Sequence, residues 1–133
     1  MSMSDYSDLY KAIEVRHSTR AYNGLPLTEG HVQAIRRACA ESLDLAKGAR
    51  VTLVLGSAGR VFTGLAIKDV PAFLAMVGDT TNPHVEEAVG YLGEYVVLAA
   101  TSIGLSTCWV SATFKSEEVA KFVNLGPAEK IFT

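Results

Sequence analysis

The chain has 133 residues, 49% hydrophobic and 20% charged, with a formal net charge of −2, which is enough for one domain with a real core because a chain near this length buries roughly two thirds of its unfolded surface. An isoelectric point near 5.9 leaves no basic footprint, so neither nucleic acid nor an anionic membrane surface is expected as a partner. The high apolar fraction points instead to some apolar surface that faces a partner or a small ligand.

Residues 5–15 set Leu9, Ala12 and Ile13, with Tyr6, at helical spacing, and Ser4 can cap that helix. The first eight residues are polar and lack the apolar region of a secretory signal, so a cytoplasmic protein is expected. From residue 16 to residue 26 the periodicity is lost, and Asn23, Gly24 and Pro26 are turn residues. Thr28 can cap a second helix whose stripe is Val32, Ile35, Ala38 or Cys39, and Leu43, while Arg36, Arg37 and Glu41 face water and Gly48 closes it.

Residues 51–55 and 71–77 are short apolar runs bounded by glycines or charges, the pattern of buried strands. Between them the stretch Gly56-Ser57-Ala58-Gly59, with Gly64, reads as a flexible turn. Asn82 followed by Pro83 opens the strongest helix, which runs to Leu105 with Gly104 near its end. Val85, Val89, Leu92, Val96, Ala99 and Ile103 make one apolar face and Tyr91, Tyr95 and Leu98 a second, so the helix is expected to be buried on two sides, the second against another subunit. This apolar stretch is interrupted by Glu94, Thr101 and Ser102 and is too short to span a bilayer. Residues 107–112 are β-prone and hold the single tryptophan, Trp109. Ser116 caps a short helix with Glu117 and Glu118 in its first turn, and residues 128–133 read as a strand beginning.

Arg16, Ser18 and Arg20 alternate, so in an extended segment they project to one side. Two guanidiniums and a hydroxyl on one face suit a phosphate dianion, because charge-assisted hydrogen bonds are the strong kind. The same residues also suit a solvated basic loop in which Arg16 complements a helix C-terminus. His17 between them is a general acid, a ligand or a loop residue donating to backbone. His31 and His84 have no acidic or cysteine neighbours at ligand spacing, so no metal site is expected, and Cys39 and Cys108 read as core thiols. No G-x-G-x-x-G, G-x-S-x-G, Walker loop or H-E-x-x-H occurs, which removes support for hydrolase and nucleotide-triphosphatase chemistry.

Three blocks in order resemble the nitroreductase family of FMN-dependent oxidoreductases: Ala12 to Tyr22 with Arg16-His17-Ser18-Thr19-Arg20 at its centre, Asp69-Val70-Pro71-Ala72, and Gly93 to Val110 ending in Gly104-Leu105-Ser106-Thr107-Cys108-Trp109. The resemblance spans nearly the whole chain. It implies an α+β fold, a three-layer α/β/α sandwich with a mostly antiparallel sheet, in one nitroreductase-like domain over residues 1–133. It further implies that Arg16, Ser18 and Arg20 contact the FMN phosphate and ribityl chain, that His17 contributes through its backbone or ring, and that Trp109, Val110 and Ser111 approach the isoalloxazine. A homodimer with FMN at the subunit interface would follow, with hydride passing from NAD(P)H through flavin to a nitroaromatic, quinone or similar flat acceptor. The flavin carries such chemistry, so no catalytic dyad is required.

Two departures qualify these expectations. Family chains usually run on through another strand and a tail, so a chain that ends at Thr133 is expected to be a fragment or a shortened member lacking that final strand and one basic phosphate contact. Ser111-Ala112 stands where relatives often have a glycine pair and crowds the backbone approach to the ring. A truncated, non-catalytic flavin-binding or dimerisation module and a small α/β interaction domain therefore remain as alternatives.

Overall fold

A computed structural model of the chain describes residues 3–63 and 67–133. Its elements are α1 (Met3–Val15), α2 (Glu29–Ser42), β1 (Ala49–Leu55), α3 (Ala58–Val61), β2 (Ala72–Asp79), α4 (Val85–Ser102), α5 (Ser116–Val119) and β3 (Glu129–Ile131). The sheet order is β1-β2-β3 and both pairings are antiparallel, with Val51 opposite Met76 and Val77 opposite Ile131. Phe132 N donates to Met76 O at 2.8 Å and Met76 N to Thr133 O at 3.0 Å, which carries the β2–β3 pairing beyond β3.

Side chains of β2 alternate between two cores, as a two-residue period requires. Met76 joins Leu9, Ile35, Ala38, Val51, Leu92 and Val96 beneath α1, α2 and α4. Phe73, Ala75 and Val77 join Val54, Val61, Val119 and Val123 beneath α3 and α5. The result is the expected α/β/α sandwich with an antiparallel sheet.

Several local expectations are corrected. Helix α1 starts at Met3, so Ser4 lies inside it. Only Leu9 and Ala12 of its stripe are buried, while Tyr6, Tyr10 and Ile13 are exposed. Thr28 caps α2 as expected, its Oγ1 accepting from His31 N at 3.1 Å. That helix ends at Ser42, well before Gly48, and Leu43 is exposed while Leu45 and Ala46 pack against the core. Ser42 is the most buried polar residue because its hydroxyl donates to Cys39 O at 2.7 Å. Instead of a plain turn, Gly56 and Ser57, both at positive φ, reverse the chain directly into α3. Gly64 lies outside the described residues.

Asn82 closes a turn ahead of α4, with its Oδ1 accepting from His84 N at 2.9 Å, and this delays the helix start to Val85. At the other end Gly104, at φ 86°, permits Leu105 N to reach Ala100 O at 3.0 Å and Gly104 N to reach Thr101 O at 3.0 Å, closing the last carbonyls. The second face of α4 is covered from within the chain: Tyr95 is buried and its hydroxyl donates to Glu41 Oε2 of α2 at 2.8 Å. Glu41 is thus half-buried rather than solvated, and Tyr91 alone of that face stays fully open. Residues 107–112 form no sheet strand; Thr107 makes one isolated parallel bridge to Ser18. Lys115, not Ser116, occupies the cap position of α5. Among the described residues no helix is long and apolar enough to cross a membrane.

Candidate functional site

Residues 16–22, 67–71 and 106–110 converge at the Ala72 end of β2. Thr107 is the hub. Its carbonyl accepts from Thr19 N at 2.9 Å, its hydroxyl accepts from Arg16 Nη1 at 3.1 Å, and its backbone bridges Ser18. Farther along, Lys68 N donates to Arg20 O at 3.0 Å and Tyr22 N to Lys68 O at 3.1 Å. The basic pentapeptide is therefore held between two other segments by isolated bridges, not by a ladder.

Without a ladder the two-residue alternation expected of Arg16, Ser18 and Arg20 does not hold. Burial recurs every third residue, at Arg16, Thr19 and Tyr22, while His17, Ser18 and Arg20 are exposed. Arg16 is anchored to Thr107 by one of its donors and keeps the others, since a guanidinium carries five N–H groups. The Arg20 guanidinium and the Ser18 hydroxyl have no partners among the described residues. The His17 ring lies against Val15 O at 3.3 Å, and its place is that of a loop residue closing on the end of α1. Thr19 Oγ1 is shut away from solvent and has no hydrogen-bond partner among the described residues.

On the other side of this junction, Trp109 donates its indole N–H to Glu94 Oε2 at 2.9 Å. The Val110 carbonyl accepts from the Thr133 hydroxyl, and Ser111 is exposed. Cys108 lines a cavity instead of entering either core, whereas Cys39 packs against the α2–α4 core and burial pushes its thiol up to about 11. Burial also raises the Tyr22 phenol; the Cys108 charge adds to this and Arg16 opposes it, so Tyr22 is a neutral donor at pH 7.

Two cavities flank the junction and share Tyr22, Val70, Ala72, Phe73, Leu74 and Thr107 as a common wall. One, of about 130 Å³, reaches toward Cys108, Trp109 and Val110. The other, of about 510 Å³, opens between Thr19, Pro26, His31 and Leu105. Both are largely apolar, as sites for flat organic ligands are. Among the described residues no His, Cys, Asp and Glu cluster could hold a metal ion. The pentapeptide and Trp109 stand out in the sequence, whereas the central part of Thr107, the proximity of Lys68 and the Glu94 contact emerge only in the fold. Only Thr107 carried a signal, through its place in the block that ends at Trp109.

Comparison with known proteins agrees with this architecture. A nitroreductase from Desulfitobacterium hafniense DCB-2 with bound FMN superimposes with a TM-score of 0.72 at 18% identity, over 94% of this chain and 85% of that one. A nitroreductase from Bacteroides fragilis NCTC 9343, also with bound FMN, gives 0.71 at 17% identity, over 92% and 83%. A nitroreductase family protein from Clostridium novyi NT gives 0.71 at 14% identity, over 93% and 80%. No curated protein sequence matches the chain. The family model described as "Putative TM nitroreductase" matches residues 8–132, and the chain belongs to that nitroreductase family.

Proposed function

We propose that the chain is an FMN-dependent oxidoreductase that uses NAD(P)H to reduce a nitroaromatic, quinone or similar flat acceptor. The observation that carries this reading is the pinning of residues 16–20 beside Thr107, next to two apolar cavities, in a member of the nitroreductase family. The donor set fits a phosphate. The Ser18 and Arg20 side chains are exposed and have no partners among the described residues, and Arg16 is held in place by Thr107 with donors to spare. The buried Thr19 hydroxyl is a polar group that lacks a partner among the described residues. The cavities at the junction fit an apolar ring.

In this reading Arg16, Ser18 and Arg20 hold the phosphate and ribityl chain, and His17 contributes through the backbone it orders. Trp109, Val110 and Ser111 border the ring. When bound, FMN supplies the two-electron redox chemistry. The chain's own part is to bind and orient the cofactor, to exclude water with the Phe62, Val70 and Phe73 side chains, and to offer the neutral Tyr22 phenol as a donor. A homodimer belongs to the same proposal: Tyr6, Tyr10 and Ile13 leave an apolar face of α1 in water, and α1 packs on α4, where Tyr91 is also exposed. So does a single domain, since both cores share one sheet.

The test is NAD(P)H consumption by purified protein supplied with FMN and a panel of nitroaromatic and quinone acceptors. Steady acceptor-dependent turnover is expected. FMN uptake with no turnover on any acceptor would instead leave a non-catalytic flavin-binding module.

A further inference from the structure

We propose that Gly93 and Glu94 form a seat for the Trp109 indole, and that Glu94 acts through this seat as a positioning residue for residues 107–110 at the candidate site. Its functional arm rests on the flavin reading above; the seat itself does not.

Segment 106–111 has no ladder to fix it. Among the described residues its position comes from three ties: Thr107 to residues 16–19, the Thr133 hydroxyl to Val110 O, and Trp109 to α4. The third tie has two parts. Glu94 Oε2 accepts the indole N–H at 2.9 Å from a position 15 residues earlier in the chain. Just before it, Gly93 is buried, and a Cβ there would stand 2.5 Å from Trp109 Cη2 and 2.5 Å from Met76 Sδ. The ring edge therefore lies against the helix backbone itself. A glycine inside a helix costs about 1 kcal/mol relative to alanine, and here its lack of a side chain admits both the ring and the methionine.

Trp109 lines the smaller cavity, while Gly93 and Glu94 line neither cavity among the described residues. Any influence of Glu94 on a ligand thus passes through the indole. From Trp109 it is two residues to Thr107, and from the Thr107 hydroxyl one hydrogen bond to the Arg16 guanidinium. Releasing the indole frees the hub that holds Arg16 in place.

Trp109 is the single tryptophan, so its emission reports the seat directly. Glu94→Leu removes the acceptor and Glu94→Gln keeps one. In Glu94→Leu, tryptophan emission shifts to the red and becomes easier to quench with acrylamide, and FMN affinity falls about tenfold, the order expected for losing one charge-assisted contact through disorder of Arg16. Glu94→Gln keeps the wild-type emission and affinity within about twofold. Wild-type emission in Glu94→Leu would overturn the seat, and a shifted emission with unchanged FMN affinity would overturn the positioning role. Should Glu94→Leu fail to fold, Gly93→Ala at wild-type helix content decides, with a shift supporting the seat and none overturning it. If the wild type takes up no FMN, the flavin reading and the positioning role with it are overturned, while the emission of the variants still decides the seat.

Discussion

The two ends of the β1–β2 pair are built on opposite terms. At the Ala49 and Gly78 end, polar groups find partners within the chain: Arg50 bonds Glu129 at 3.0 Å and donates to Asn124 O, Glu129 accepts from Gly126 N at 2.8 Å, and Asp79 N donates to Gly48 O at 2.7 Å. Gly48 sits at φ +82°, and a side chain there would meet Asn82 Nδ2 at 2.7 Å. At the Leu55 and Ala72 end, three segments meet through isolated bridges, two cavities open, Arg20 and Ser18 are exposed and Thr19 Oγ1 has no partner among the described residues. Internal hydrogen bonding stabilises the first end. Unspent donors beside apolar space leave the second able to take a ligand.

Substitutions at the two ends should therefore separate binding from stability. Arg16→Ala with Arg20→Ala removes two charge-assisted donors of about 1.5 to 3 kcal/mol each, so FMN affinity by calorimetry should fall about a hundredfold or more while most of the folding stability remains. Gly78→Ala acts at the closed end. Its Cβ would lie 2.4 Å from Val85 Cγ2 and 2.8 Å from Phe132 Cε2, and such overpacking costs about 1 to 3 kcal/mol in denaturant melts, with FMN affinity of the folded protein unchanged.

Arg50→Met should cost about 1 kcal/mol, since the pair is partly exposed. Hydrogen bonding from Arg50, then from Gly126 N, holds the Glu129 carboxyl below its ordinary value. A depressed folded-state value means that this stability is present above the ordinary carboxylate value and is lost as pH falls from there through the lowered folded-state value. Wild type should accordingly lose more stability on acidification than Arg50→Met, as thermal melts across that range would reveal. The smallest effect is expected from Thr19→Val: replacing an unpartnered buried hydroxyl by a methyl should raise apo stability by up to about 1 kcal/mol.

Much of the helix and strand framework was legible in the sequence. The Val51 to Leu55 and Pro71 to Val77 runs announce their strands because burial on both faces demands continuous apolar residues, and Thr28 and Gly104 mark their helix ends through backbone needs local to each. The open end was legible only in its composition. Arg16, Ser18 and Arg20 are visible as a basic cluster, but their three-residue burial pattern follows from bridges to Thr107 and Lys68, contacts across 47 to 91 residues that no local period encodes. Trp109 in a β-prone run was misleading for the same reason: propensity favours a strand, while its side chain is claimed by Glu94 and the gap at Gly93. Likewise the second apolar face of α4 was assigned to another subunit because sequence cannot show that Glu41 of α2 would reach Tyr95.

The most direct measurement is titration of the purified wild-type chain with FMN, followed by flavin absorbance and fluorescence. Saturable uptake with a perturbed flavin spectrum is expected. A folded protein that remains colourless and leaves the spectrum of added FMN unchanged would contradict it.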